Sequence, residues 1–204
     1  MHMSLFFRGA ATVALGGSLL FLAGCGSEPN VRYVDPNAQG TVASTGIESQ
    51  DVNAAALQAA QSIVNVPEIA HALTPPTIII TPVLNKSSSP IDTSLYTSIL
   101  RDTLLNNSGG KVQFIDRTNA AVNEKEQQMA DAGTVQQSPQ GDRTALSYDY
   151  ILTAELQGIG MASAQGQSDY FRISFKLIAR KTDLLIWTNA YQIKKEGKES
   201  AVYR

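Results

Sequence analysis

Asp169-Tyr170-Phe171-Arg172-Ile173-Ser174-Phe175-Lys176-Leu177-Ile178-Ala179-Arg180 has the alternation of a half-buried strand. Phe171, Ile173, Phe175, Leu177 and Ala179 alternate with Tyr170, Arg172, Ser174, Lys176, Ile178 and Arg180. Successive side chains of an extended chain point to opposite faces. A period of two therefore puts a core on one side and a mostly polar, basic row on the other.

Similar runs lie on both sides of it. Tyr148 to Gly158 reads as a preceding strand, with Ala164-Gln165-Gly166-Gln167-Ser168 as the turn. Lys181-Thr182-Asp183 turns the chain again into Leu184 to Lys195, where Leu185, Trp187, Tyr191 and Ile193 share a face. The three strands form an antiparallel meander. The charged tail Lys194 to Arg204 is expected to fray.

Upstream, the pattern changes to strands separated by helices. Thr77-Ile78-Ile79-Ile80-Thr81-Pro82-Val83-Leu84 is continuous and β-branched, which predicts a strand buried on both faces. Pro82 weakens pairing near its end. Asn85 to Pro90 reads as a loop. Asp92 or Thr93 is placed to cap the next helix, which runs up to Asn106 with a stripe of Ile91, Leu95, Ile99, Asp102 or Thr103, and Leu104 or Leu105, and Asn107-Ser108-Gly109-Gly110 stops it. Lys111 to Asp116 is a short strand and Thr118 to Asp131 a polar helix; Gly133 to Asp142 is a loop. Before all of these, Val52, Ala55, Ala56, Ala59, Ala60 and Ile63 form one stripe of a helix over Gln50 to Val66, which Ser49 is placed to cap.

The expected fold is α+β: a mixed sheet of about five strands packed with three to four helices. A right-handed βαβ unit over 77–116 makes its two strands parallel neighbours, and the meander follows it.

The first residues read differently. Arg8 precedes an apolar run from Gly9 to Leu22, too short for the roughly 20 residues of a membrane span. Positive start, apolar middle and small residues before the break follow the order of a secretory signal. Leu22-Ala23-Gly24-Cys25 then resembles the lipobox of bacterial lipoproteins, with Cys25 the only cysteine of the chain. The resemblance implies cleavage before Cys25 and lipidation on it. Several acyl chains hold a protein stably on a membrane, where one holds it only reversibly. Gly26, rather than Asp, at the next position implies the outer membrane. The expected organisation is a lipoprotein signal peptide over 1–24, a flexible tether over 25–48 and a single globular domain over 49–204. A coil of about 24 residues spans roughly 25–30 Å, a short leash.

Composition narrows the chemistry. The formal net charge is -2 and no basic run is present, so nucleic acid is not an expected partner. The chain has two histidines, and His2 leaves with the signal. That leaves His71, read as a helix-end residue, and no thiol once Cys25 is lipidated. Cys–His catalysis and ordinary zinc sites are thereby excluded, and no metal, cofactor or catalytic residue is expected. Glu124 and Glu126 read as a solvated helix face. Glu155 is the one carboxylate a cell-wall hydrolase could use, and it reads as a cross-strand partner of Lys176 or Arg172.

The order of motifs resembles the LpoB family of penicillin-binding protein activators. The resemblance rests on Asp51-Val52, Pro76-Thr77-Ile78-Ile79-Ile80 with Asn85, and Ile91-Asp92-Thr93. It continues through Leu104 to Gly109, Lys111 to Arg117, Asp149-Tyr150-Ile151-Leu152-Thr153 and Ile186-Trp187. It implies an outer-membrane lipoprotein, its monomeric domain facing the periplasm, that binds a bifunctional penicillin-binding protein and stimulates peptidoglycan synthesis without being an enzyme. The family usually has Gly-Ala before Asp-Tyr, where this chain has Leu146-Ser147-Tyr148. Partner-binding candidates are Asn85, with the loop after it, and Arg172 and Lys176 on the polar face of the 170–180 strand. A second reading is a CsgG-like assembly or secretion lipoprotein of the outer membrane. That reading needs long amphipathic strands able to line a pore.

Overall fold

The computed structural model describes residues 31, 33–40, 44–136 and 146–198. The expected signal peptide, Cys25, part of the expected tether, most of the loop expected at 133–142 and the last six residues lie outside the described residues.

Among the described residues four helices and six strands occur in the order α1 (Ser49–Ile63), α2 (Pro67–Ala70), β1 (Thr77–Ile80), β2 (Leu84–Lys86), α3 (Thr93–Asn107), β3 (Gln113–Ile115), α4 (Ala120–Asp131), β4 (Tyr150–Ser163), β5 (Gly166–Ala179) and β6 (Leu185–Gly197). The strands make one mixed sheet in the order β3-β1-β4-β5-β6, with β2 beside β4 beyond the end of β1. The expected parallel pairing of 77–80 with 113–115 is present, and β4, β5 and β6 form the antiparallel meander. The fold class is therefore α+β, with one strand more than expected.

The extra strand comes from Pro82. The run 77–84 is not one strand buried on both faces. Among β1 residues Ile78 alone is fully buried, and pairing stops after Ile80. Proline has no N–H to give a ladder. The chain leaves the sheet there, with Thr81 N–H still bonded to Leu152 O and Val83 N–H taken by the Thr97 hydroxyl of α3. It rejoins β4 at Leu84, so Asn85 and Lys86 lie in a strand rather than a loop.

Residues directly opposite in a ladder share a face. Leu152, Ala154 and Leu156 of β4 lie opposite Leu177, Phe175 and Ile173 of β5, which lie opposite Trp187, Asn189 and Tyr191 of β6. This is the core face. α1 lies on it with the six-residue stripe expected from the sequence, and all six residues are buried. The alanines let the helix approach closely, and Trp187 Nε1 donates to Ser62 Oγ across that contact. α3 packs beside α1. Its buried residues are Leu100 and Leu104, whereas Leu95 and Leu105 are exposed. The true stripe is thus rotated about one position from the expected one, because α3 must face both α1 and the sheet. Asp92 caps α3 by accepting from the Ser94 and Leu95 N–H groups, and Gly109 and Gly110, at φ +58° and +76°, end it. α4 buries no side chain.

Three further expectations need correction. The tether does not run to residue 48: Thr45 and Ile47 are buried, and the folded domain takes in residues 44–48. Glu48 rather than Ser49 is the N-cap of α1, in a capping box with Asp51. The last strand does not end at Lys195 or fray from Lys194; it runs to Gly197. A bulge lies between Leu177 and Ile178, where Trp187 opposes the first and Leu185 the second. It inserts Ile186, so Leu185 leaves the core face and is 55 % exposed.

Candidate docking surface

The second face of the sheet is built from the alternate residues. Thr153, Glu155, Gln157, Ile159 and Met161 of β4 lie opposite Lys176, Ser174, Arg172, Tyr170 and Ser168 of β5. Lys176, Arg172 and Tyr170 in turn lie opposite Thr188, Gln192 and Lys194 of β6. Gln157, Lys176, Thr188, Gln192 and Lys194 are exposed, and Arg172 and Tyr170 half-buried. The period of two in β5 thus delivers the expected basic row to a solvated surface.

Its charges are unevenly satisfied. Lys86 Nζ lies 3.1 Å from Glu155 Oε2, and Lys194 Nζ 2.7 Å from Glu196 Oε1. No carboxylate among the described residues pairs with Arg172 or Lys176. Leu84, Ile159 and Met161 flank these two cations with exposed apolar surface. The Tyr170 hydroxyl donates to Gln192 Oε1 at 3.1 Å and fixes the ring among them.

Glu155 is held otherwise than the sequence implies. Its partner is Lys86 of β2, and neither Lys176 nor Arg172. Gln157 Nε2 also donates to Glu155 Oε1 at 2.7 Å. β2 itself was not expected, so this pairing was hidden in the sequence. His71 is the C-cap of the short α2 and is exposed. Glu124 and Glu126 lie exposed on α4, as a solvated helix face requires.

The structure separates Asn85 from the other two candidates. Asn85 lies opposite Leu156, on the core side of the sheet, and is turned inward to its own loop. Its Oδ1 accepts from the Ser87 N–H and hydroxyl at 2.9 and 2.7 Å, and its Nδ2 donates to Ser89 O at 2.8 Å. Asn85 therefore shapes the 85–90 loop. Asn85→Ala is expected to cost about 1–2 kcal/mol, because three hydrogen bonds go and the loop polar groups turn to water. Urea unfolding reads this.

The departure at 146–149 has a structural counterpart. Asp149 Oδ2 accepts from Thr77 N–H at 2.9 Å, and the Thr77 hydroxyl is shared between Asp149 Oδ2 and Ser147 O. Arg180 Nε donates to Tyr148 O and its guanidinium lies 5.6 Å from the centre of the Tyr148 ring. Arg117 donates to Leu146 O. The backbone of 146–149 is thus pinned to β1, β3 and the end of β5. The Thr77 N–H holds the Asp149 carboxyl below its ordinary value of 3.8, helped by the Thr77 hydroxyl and the nearby Lys181 and Arg180 charges, against a smaller effect of burial. A depressed carboxylate stabilises the fold above its unfolded pKa, and that stability is lost as pH falls through the folded value. Asp149→Asn should therefore flatten the decline in stability below about pH 4. Thermal unfolding from pH 7 to 2 checks this.

A buried polar cluster at the far end of the sheet escaped the sequence reading. It joins Thr45, Glu48 and Asp51 to Asp169 and Lys195. One signal was available: Lys195 continues the core-face series of Tyr191 and Ile193, so its position on the strand is an inward one.

The family model described as "Peptidoglycan-synthase activator LpoB" matches residues 51–193. No curated protein matches. Among solved structures, the LpoB C-terminal domain from Escherichia coli aligns at 14 % identity and TM-score 0.45, covering 71 % of this chain and 99 % of that one. The corresponding domain from Salmonella enterica aligns at 12 % and 0.44 over 71 % and 99 %. The E. coli LpoB solution structure aligns at 13 % and 0.44 over 93 % and 96 %. With the family model spanning the sheet and the helices from Asp51 to Ile193, the chain belongs to the LpoB family of peptidoglycan-synthase activators.

Proposed function

We propose that this chain is an outer-membrane lipoprotein, anchored through lipid on Cys25, whose domain docks in the periplasm on a bifunctional penicillin-binding protein and stimulates it. The family match over 51–193 carries the reading. The activator catalyses nothing itself. It contributes a binding surface, and the synthase supplies the chemistry.

The surface we assign is the open face of β4, β5 and β6, with Arg172 and Lys176 at its centre. Two cations without an internal carboxylate, bordered by Leu84, Ile159 and Met161, suit a partner surface that is acidic with apolar flanks. Charge complementarity of this kind speeds encounter and fixes register, and the apolar border adds burial on contact. Asn85, engaged within its own loop, is not part of this surface.

The test is a reconstituted assay. The protein made without lipid is added to a purified bifunctional penicillin-binding protein from the same cell, and glycan polymerisation from lipid-linked precursor is followed. A rise in rate that saturates with added protein is expected. An unchanged rate for every such synthase of the cell would overturn the proposal.

A further inference from the structure

We infer that the polar cluster joining residues 45–51 to β5 and β6 is a load-bearing attachment, through which tension on the N-terminal arm enters the sheet. That the tension comes from a membrane anchor rests on the function proposed above; that the cluster bears load does not.

The cluster has two limbs. In one, Lys195 Nζ lies 2.7 Å from Asp51 Oδ2 and 3.5 Å from Glu48 Oε1, and donates to Gly46 O at 2.9 Å. In the other, the Thr45 hydroxyl donates to Asp169 Oδ2 at 2.6 Å, and Gln167 Nε2 donates to the same oxygen at 2.7 Å. Asp169 and Lys195 lie opposite each other on β5 and β6, so both limbs grip one rung of the ladder. The helix end is tied into the same group. Glu48 N–H donates to Asp51 Oδ2, and Ser44 N–H to Glu48 Oε1.

The placement is unusual for a stabilising device. Thr45, Asp51 and Asp169 are buried, and the Lys195 side chain is 18 % exposed. Ion pairs withdrawn from water to this degree contribute little net stability compared with apolar packing, yet losing one partner is costly. What they supply is directional and short-ranged resistance. Just upstream, residues 34–39 are exposed, and among the described residues Pro36 O accepts from Ser49 Oγ and Asn37 Oδ1 accepts from Asn53 Nδ2. Among the described residues, Ser44 to Asp51 is where a pull along the arm meets bonds to the sheet. Without the cluster, the pull would peel α1 from its N-terminus one turn at a time. With it, the load passes across to β5 and β6, which are paired over nearly their whole length. The opposite face of β5 carries Arg172 and Lys176, so anchor and docking surface are linked through that strand.

Single-molecule pulling tests this on the full mature chain, unlipidated. One handle is placed on Cys25 and the other on a cysteine introduced at the exposed Gln192. For comparison, Cys25→Ser with cysteines at Leu73 and Gln192 leaves residues 44–51 outside the loaded span. Lys195→Met is expected to raise the forced-unfolding rate roughly tenfold in the first geometry, with a short early extension as α1 peels, and less than about twofold in the second. Thr45→Val, a milder change should Lys195→Met fold poorly, is expected to show the same contrast more weakly. Equal changes in the two geometries, or no change in the first, would overturn the inference and leave the cluster a contributor to global stability; neither result depends on whether a synthase is the partner.

Discussion

Leu177→Ala is expected to lower the stability of the domain by about 3–4 kcal/mol. Leu177 is 0 % exposed on β5, opposite Leu152 on one side and Trp187 on the other. Truncation removes three carbons at a site bounded by two strands. The neighbours cannot close the cavity without breaking the ladder. Since small domains are stable by only about 5–15 kcal/mol, the variant should unfold at a much lower urea concentration with an unchanged slope. Leu105→Ala, on α3, provides the contrast. The sequence stripe allowed it a core position, but the residue is 53 % exposed, and its loss should stay within about 0.5 kcal/mol.

Reversing both central cations of the open face should act on binding instead. Arg172→Glu with Lys176→Glu is expected to weaken affinity for the proposed synthase partner by about 10- to 100-fold, because on the proposed docking mode two attractions become repulsions. Among the described residues neither has a carboxylate partner to lose, so thermal stability should hardly move. Titration calorimetry of the purified pair reads the affinity. The wild-type affinity should also fall with added salt more steeply than that of the variant. Unchanged affinity would remove this face from the interface.

Most of the fold could be read because its elements carry redundant local signals. β5 alternates without a break, and α1 has six small or apolar residues at helical spacing, so one misplaced residue would not hide either. The errors arose where one residue or one tertiary contact decided the outcome. Pro82 ends β1, but only the sheet provides β4 for Leu84 to Lys86 to rejoin. The insertion at Ile186 turns Leu185 outward, and a bulge of one residue leaves no mark in the alternation that surrounds it. α3 faces two neighbours, so its buried stripe, with Leu100 and Leu104, is turned about one position from the one the sequence spacing suggests.

The candidate site was legible to a smaller degree. Arg172 and Lys176 follow from the alternation of β5. Asn85 does not belong with them, because its side chain is used by Ser87 and Ser89, a local arrangement that Asn favours in turns. Lys195 looked like part of a charged tail, since its carboxylate partners Glu48 and Asp51 are more than 140 residues away in the chain. No local pattern records a contact of that range.

We propose that the open face of β4, β5 and β6 meets a peptidoglycan synthase in the periplasm. It is tested most directly by a photoreactive residue placed at Lys176 in the living cell, with one at Leu57 on α1 as the control. Leu57 is partly exposed on a helix that packs on the other side of the sheet. Crosslinking from position 176 to a bifunctional penicillin-binding protein, absent from position 57, is the predicted result. A crosslink to that protein from 57 and none from 176, or none from either, would contradict the account.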